Sequence, residues 1–71
     1  MKPHLAKRSF SLAGHRTSVA LEPAFWAALE AIAAARGISL AALVSERDAA
    51  RTEAGAPLAS SLRVFALLER R

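Results

Sequence analysis

The 71-residue sequence predicts a mainly α-helical fold with one short β-strand, in which the strand is completed by a second copy of the chain and a third helix is added at the C-terminal end. Three observations carry this: an alternating run over His15–Leu21, two helical stretches hinged at Gly37-Ile38-Ser39, and a core that is thin for its length. Hydrophobic residues make up 54% of the chain, yet 18 residues are alanine, which buries little area. A domain of this size is close to the lower limit for independent folding. With no cysteine, neither a disulfide nor a thiolate metal site can add stability, which leaves oligomerisation.

The strand is read from parity. Thr17, Val19 and Leu21 fall on one side of an extended chain and Arg16, Ser18 and Ala20 on the other. Glu22-Pro23 ends the strand, and proline at the first helical position breaks no hydrogen bond. In the first helix Phe25, Trp26, Leu29, Ile32 and Ala33 form a broad apolar stripe filled in with alanine, the strongest helix former. Gly37 suits the left-handed position that closes a helix, Ile38 folds back on its last turn, and Ser39 caps the next. The second helix, 40–52, places Leu40, Leu43 and Val44 inward and Ser45, Glu46, Arg47, Asp48 and Arg51 mostly outward. A break at 53–57 precedes a third helix from about Ser60, whose stripe is Leu58, Leu62, Phe65 and Leu68, with Leu67 beside it. The chain thus divides into an N-terminal basic arm or hairpin (1–14), a strand-helix-helix unit (15–52), and a linker with a C-terminal helix (53–71).

A lone strand leaves a row of backbone donors and acceptors unpaired. The only other strand candidate is 8–12. The simplest solution pairs Val19 and its neighbours antiparallel with the same segment of a second copy, across a two-fold axis. The dimer core is then Thr17, Val19, Leu21, Phe25, Leu29, Ile32, Leu40, Leu43 and Val44.

The net charge of +4 lies wholly in the first sixteen residues, where Lys2, Lys7, Arg8 and Arg16 face no acid; the other six basic residues are matched by six acidic ones. Such an arm suits a polyanion or simply a solvated tail. No stretch is apolar and long enough to cross a bilayer or serve as a signal-peptide core, so the expected compartment is cytoplasmic. His4 and His15 lack the company a metal site needs, and His15, Asp48 and the serines fall in no nucleophile or phosphate motif. Neither an enzyme nor a cofactor is expected.

The run Arg16-Thr17-Ser18-Val19-Ala20-Leu21, the helix opening at Glu22-Pro23, and Gly37-Ile38-Ser39 before a second helix resemble the ribbon-helix-helix (MetJ/Arc/CopG) superfamily over 16–52. The segment from Gly14 to Ser18, with the extra helix containing Ser61-Leu62-Arg63-Val64-Phe65, is more similar to a subset of short stand-alone bacterial proteins with this domain.

The resemblance implies a small, sequence-specific transcriptional regulator whose intertwined homodimer lays an intermolecular two-stranded antiparallel ribbon in the major groove of double-stranded DNA. It assigns base contacts to Arg16, Ser18 and Ala20, with Arg16 able to hold guanine O6 and N7, and phosphate contacts to the N–H groups of Ser39 and Leu40 at a helix start. Ala20 departs from the pattern, since such ribbons usually carry a longer or polar side chain there. Arg47 departs too, standing on the helical face where an apolar residue would extend the core.

Two placements stay open. Phe10 and Leu12 share the parity of Arg16 if the strand runs straight, but Gly14 interrupts it. A turn there would make a hairpin, whereas a loose arm would lay Lys7 and Arg8 along the phosphates or in a minor groove. The third helix either completes the core or offers a face to another protein, the alternative being a dimeric interaction or antitoxin-like module.

Overall fold

The computed structural model describes residues 4–51, 55 and 57–69. It contains two strands, β1 (Ala6–Leu12) and β2 (His15–Leu21), followed by α1 (Pro23–Arg36), α2 (Leu40–Arg51) and α3 (Leu58–Glu69). The expected ends of the second helix at Thr52 and of the third at Arg70-Arg71 lie outside the described residues, as does Lys2.

The expectation of a single strand is corrected: 6–12 forms a second strand, antiparallel to β2 over all seven positions, from Ala6 opposite Leu21 to Leu12 opposite His15. The reason is the turn. Ala13 and Gly14 have φ of 50° and 82°, the positive values both central residues of a type I′ turn require. That turn matches the right-handed twist of the strands, so two residues suffice to reverse the chain. It also exchanges parity, pairing each even-numbered residue of β1 with an odd-numbered one of β2. Phe10 and Leu12 therefore lie beside Thr17, Val19 and Leu21, not beside Arg16, and both are buried.

All three helices cover this one side of the hairpin. The segment α2 packs on β1, α3 packs on β2, and α1 contacts both other helices. Trp26 of α1 fixes β1: its indole N–H donates to the Ala6 carbonyl at 2.7 Å and its ring lies 5.8 Å from that of Phe10.

The hinge between α1 and α2 is as the sequence predicts. Gly37 adopts φ 71°, its N–H donates to the Ala34 carbonyl at 3.0 Å, and the Ile38 N–H donates to the Ala33 carbonyl at 3.0 Å. Two otherwise orphaned carbonyls are thereby satisfied. The Ser39 hydroxyl accepts from the Ala42 N–H at 3.0 Å, capping α2.

Of the residues expected in the core, Val19, Leu21, Leu29, Leu43 and Val44 are buried, while Thr17, Phe25, Ile32 and Leu40 are half-buried. The core also takes in Phe10, Leu12, Trp26, Ala33, Leu58, Leu62, Phe65 and Ala66. The third helix begins at Leu58 rather than Ser60, and its stripe is narrower than expected. Leu68 is 77% exposed and Leu67 61%. Arg47 is accommodated by α3: its guanidinium lies 4.6 Å from the Phe65 ring centroid, with that of Arg36 at 5.3 Å. The face that would otherwise ask for an apolar residue is closed by an aromatic ring on which a cation can rest.

Trp26→Phe keeps most of the ring but deletes its donor, which is worth about 0.5–1.5 kcal/mol for one hydrogen bond. Chemical denaturation should show that loss, and hydrogen exchange should show faster opening at amides 6–9 than at the centre of α1. Uniform exchange across both regions would mean that β1 is not held by Trp26.

Candidate nucleic-acid interface

The side of the hairpin turned away from the helices carries Lys7, Ser9 and Ser11 of β1 and Arg16, Ser18 and Ala20 of β2, paired Lys7–Ala20, Ser9–Ser18 and Ser11–Arg16. All are exposed except Ala20, which is half-buried. Neither strand contains an acidic residue, so this face is uniformly neutral or positive. The Ser9 and Ser18 hydroxyls lie 3.0 Å apart at its centre. Ion pairs join Arg8 to Glu30, Arg36 to Glu46 and Glu69, and Arg63 to Glu22; among the described residues neither Lys7 nor Arg16 takes part in one. Their charges are open to an incoming anion.

A family model described as a ribbon-helix-helix domain matches residues 5–69. The chain belongs to the ribbon-helix-helix family. A solved structure of an uncharacterized protein from Bordetella pertussis Tohama I superposes on it with a TM-score of 0.79 and 39% identity over 89% of this chain. The chain spans 53% of that protein's length. Among curated proteins none matches. The family match begins just before β1 and ends with α3, so both the extra strand and the extra helix belong to this ribbon-helix-helix domain.

The structure puts the residues expected to read bases on one face and sets two further side chains beside them. Arg16, Ser18 and Ala20 share one face as their parity predicts. Ser9 and Ser11 join them because of the parity exchange at Ala13-Gly14. That dipeptide is a weaker hairpin signal than Asn-Gly, since its first residue is an alanine, whose Cβ disfavours positive φ. The expected pair of arm cations is divided between the two sides. Lys7 lies on the open face, whereas Arg8 is half-buried beneath it, its guanidinium 2.6 Å from a Glu30 carboxylate oxygen and 5.0 Å from the Trp26 ring centroid. At the start of α2, Ser39 is exposed and Leu40 half-buried.

Where the ribbon meets α1, Glu22 ties the helices together. Its carboxylate accepts from Arg63 Nε of α3 at 2.9 Å, and the same guanidinium lies 5.9 Å from the Phe25 ring centroid. The Glu22 carboxyl is held below its ordinary value first by a hydrogen bond from its own backbone, then by the Arg63 hydrogen bond and charge, against an opposing desolvation. Because the folded pKa is the lower one, the contribution is full above the ordinary carboxylate range and is lost as pH falls through the folded value.

The urea midpoint of the native protein should therefore exceed that of Glu22→Gln by a constant margin at neutral pH, and the margin should shrink as pH falls below the ordinary carboxylate range. A margin that persisted in acid would show that the ionised carboxylate is not what holds α3.

Proposed function

We propose that the protein is a sequence-specific DNA-binding regulator that places the open face of its ribbon in the major groove. The observation that carries this reading is the acid-free, solvent-facing surface of Lys7, Ser9, Ser11, Arg16, Ser18 and Ala20, on a domain whose family typically binds DNA as a dimer. The major groove admits a two-stranded ribbon, which in the dimer is the pair of β2 strands with β1 flanking it on each side. In this reading Arg16 holds a guanine edge through O6 and N7, Ser18 donates to or accepts from a neighbouring base, and Ala20 offers only its methyl. Lys7, on the outer strand, contacts phosphate, as do the N–H groups of Ser39 and Leu40 at the positive end of α2. Arg8, engaged with Glu30 and Trp26, is left out of the contact set.

The working unit is a homodimer. Within one chain β2 is paired along one edge by β1, so the other edge is open to the β2 of a second copy. Val64, Leu67 and Leu68 are also exposed. They favour a second reading of α3, in which its outer side meets a protein, either the second copy or a different partner.

Two measurements test this. The melting temperature should rise with protein concentration, as it does when folding and association are linked. A single-chain mass in sedimentation at micromolar concentration, with melting independent of dilution, would remove the dimer.

Binding isotherms on a selected and a scrambled site, at several salt concentrations, should separate the contacts. Lys7→Ala should weaken both sites alike and reduce the magnitude of the log–log salt slope by about two units per dimer, one phosphate contact being lost from each subunit. Arg16→Ala should instead reduce the discrimination between the two sites by about 1–3 kcal/mol per lost bidentate contact. Equal losses on both sites from Arg16→Ala would reject base readout by the ribbon.

A further inference from the structure

The third helix carries apolar residues on two opposite sides. Leu58, Leu62, Phe65 and Ala66 are buried in the core that α3 forms with α1, α2 and β2. Ser60, Val64, Leu67 and Leu68 recur at helical spacing on the far side, and all four are exposed. No charged residue falls among them. The two charged side chains of α3 in the described residues are engaged elsewhere, Arg63 with Glu22 and Glu69 with Arg36. Beside Leu67 an open groove runs between α1 and α3, lined by Ala24, Phe25, Ala28 and Ala66. A helix that is apolar on both sides belongs inside a protein, and a single copy covers only one side of this one.

What covers the other side follows from where α3 lies. Helix α2 packs on β1 and α3 packs on β2, so α3 is the helix nearest the open edge of β2. With its inner side given to α1, α2 and β2, its outer side is turned to the flank beyond that edge. When the β2 of a second copy pairs along the edge about a two-fold axis, the second copy's α3 is brought up against this flank. Ribbon pairing alone would make a weak dimer. One seven-residue edge supplies backbone hydrogen bonds but covers little apolar area, whereas stable specific interfaces bury about 1,200–2,000 Å² in total. The apolar flank of α3 adjoins the edge and can supply the remainder.

We propose that the outer side of α3 is the second half of the homodimer interface, in which the two α3 helices pack on each other across the two-fold axis and Leu68 of each copy enters the groove between α1 and α3 of the other. The proposal rests on the homodimer reading given above and deepens it by naming what covers this side. Two-fold symmetry makes the contact reciprocal, so one leucine and one groove per chain close both ends of the interface. The alanines of the groove leave room for an incoming side chain, and the half-buried Phe25 gives it an apolar wall.

The test is the dimer dissociation constant of the full chain, by sedimentation equilibrium, for wild type and for Leu67→Glu, Leu68→Glu, Leu68→Met and Leu5→Glu. Leu68→Glu should raise it by at least about 100-fold, because one buried leucine is lost from each copy and symmetry counts it twice. Leu67→Glu should act in the same direction. Leu68→Met, which keeps an apolar side chain of similar volume, should retain most of the affinity. Leu5 is also exposed but precedes β1, on the side of the hairpin away from the open edge of β2, so Leu5→Glu should leave the constant unchanged. Leu68 is outside the core of its own chain, and circular dichroism checks that Leu68→Glu still folds; if it does not, Leu68→Ala decides by the same measurement. A Leu68→Glu chain that dimerises like wild type would overturn the α3 contact while leaving the ribbon dimer in place. An equal loss from Leu5→Glu would also overturn it, since the effect would not belong to α3. A wild-type chain that stays single at micromolar concentration would overturn both the contact and the homodimer.

Discussion

Trp26 stands where the hairpin meets α1, and the rest of the structure depends on the way it holds β1. Its ring is almost wholly buried, with Phe10 on one side and the Arg8 guanidinium over it, while its single polar atom reaches the Ala6 carbonyl. A buried indole without a partner for its N–H would be costly, and an edge-strand carbonyl without one would be exposed. Each satisfies the other. With β1 fixed, Phe10 and Leu12 close the core that His15–Leu21 alone would leave open, and Lys7 and Ser9 are turned to the opposite side. Core formation and assembly of the open face are thus one event, because alternation along a strand assigns each neighbour to the other side.

The two sides of the hairpin differ in chemistry for the same reason. On the covered side three of the described arginines are matched by carboxylates. Arg8 meets Glu30, Arg63 meets Glu22, and Arg36 meets Glu46 and Glu69 while resting with Arg47 near the Phe65 ring. The exposed ion pairs contribute little individually to stability. Their larger consequence is for where positive charge remains available. By pairing Arg8, Arg36 and Arg63, they leave Lys7 and Arg16 as the cations of a face with no acid on it, so open positive charge is present at the ribbon.

Much of this was legible from local rules. The parity of His15–Leu21, proline at the start of α1, the left-handed Gly37 and the Ser39 cap each depend on interactions within a few residues, and each appears where the sequence places it. The side taken by Arg16 and Ser18 follows from the same parity. What escaped was β1 as a full strand. Its alternation is legible, but its facing depends on the sign of φ at Ala13, which an alanine does not announce. The helical stripe of α3 was likewise readable, yet Leu68 fits it by spacing and still lies outside, because the core it would join is already closed by Leu62, Phe65 and Ala66.

The sequence by itself determined the helices, their caps, the parity of one strand and the excess of positive charge near the N-terminus, because these follow from backbone propensity and periodicity over short distances. Only the tertiary structure decided that the arm folds back as β1, that Arg8 belongs beneath the ribbon and Lys7 above it, and that Ser9 meets Ser18. Those outcomes depend on a turn that exchanges parity and on a tryptophan twenty residues away from the carbonyl it holds. Periodicity fixes which residues share a side of their own strand; a contact between distant elements fixes which side of the molecule that becomes.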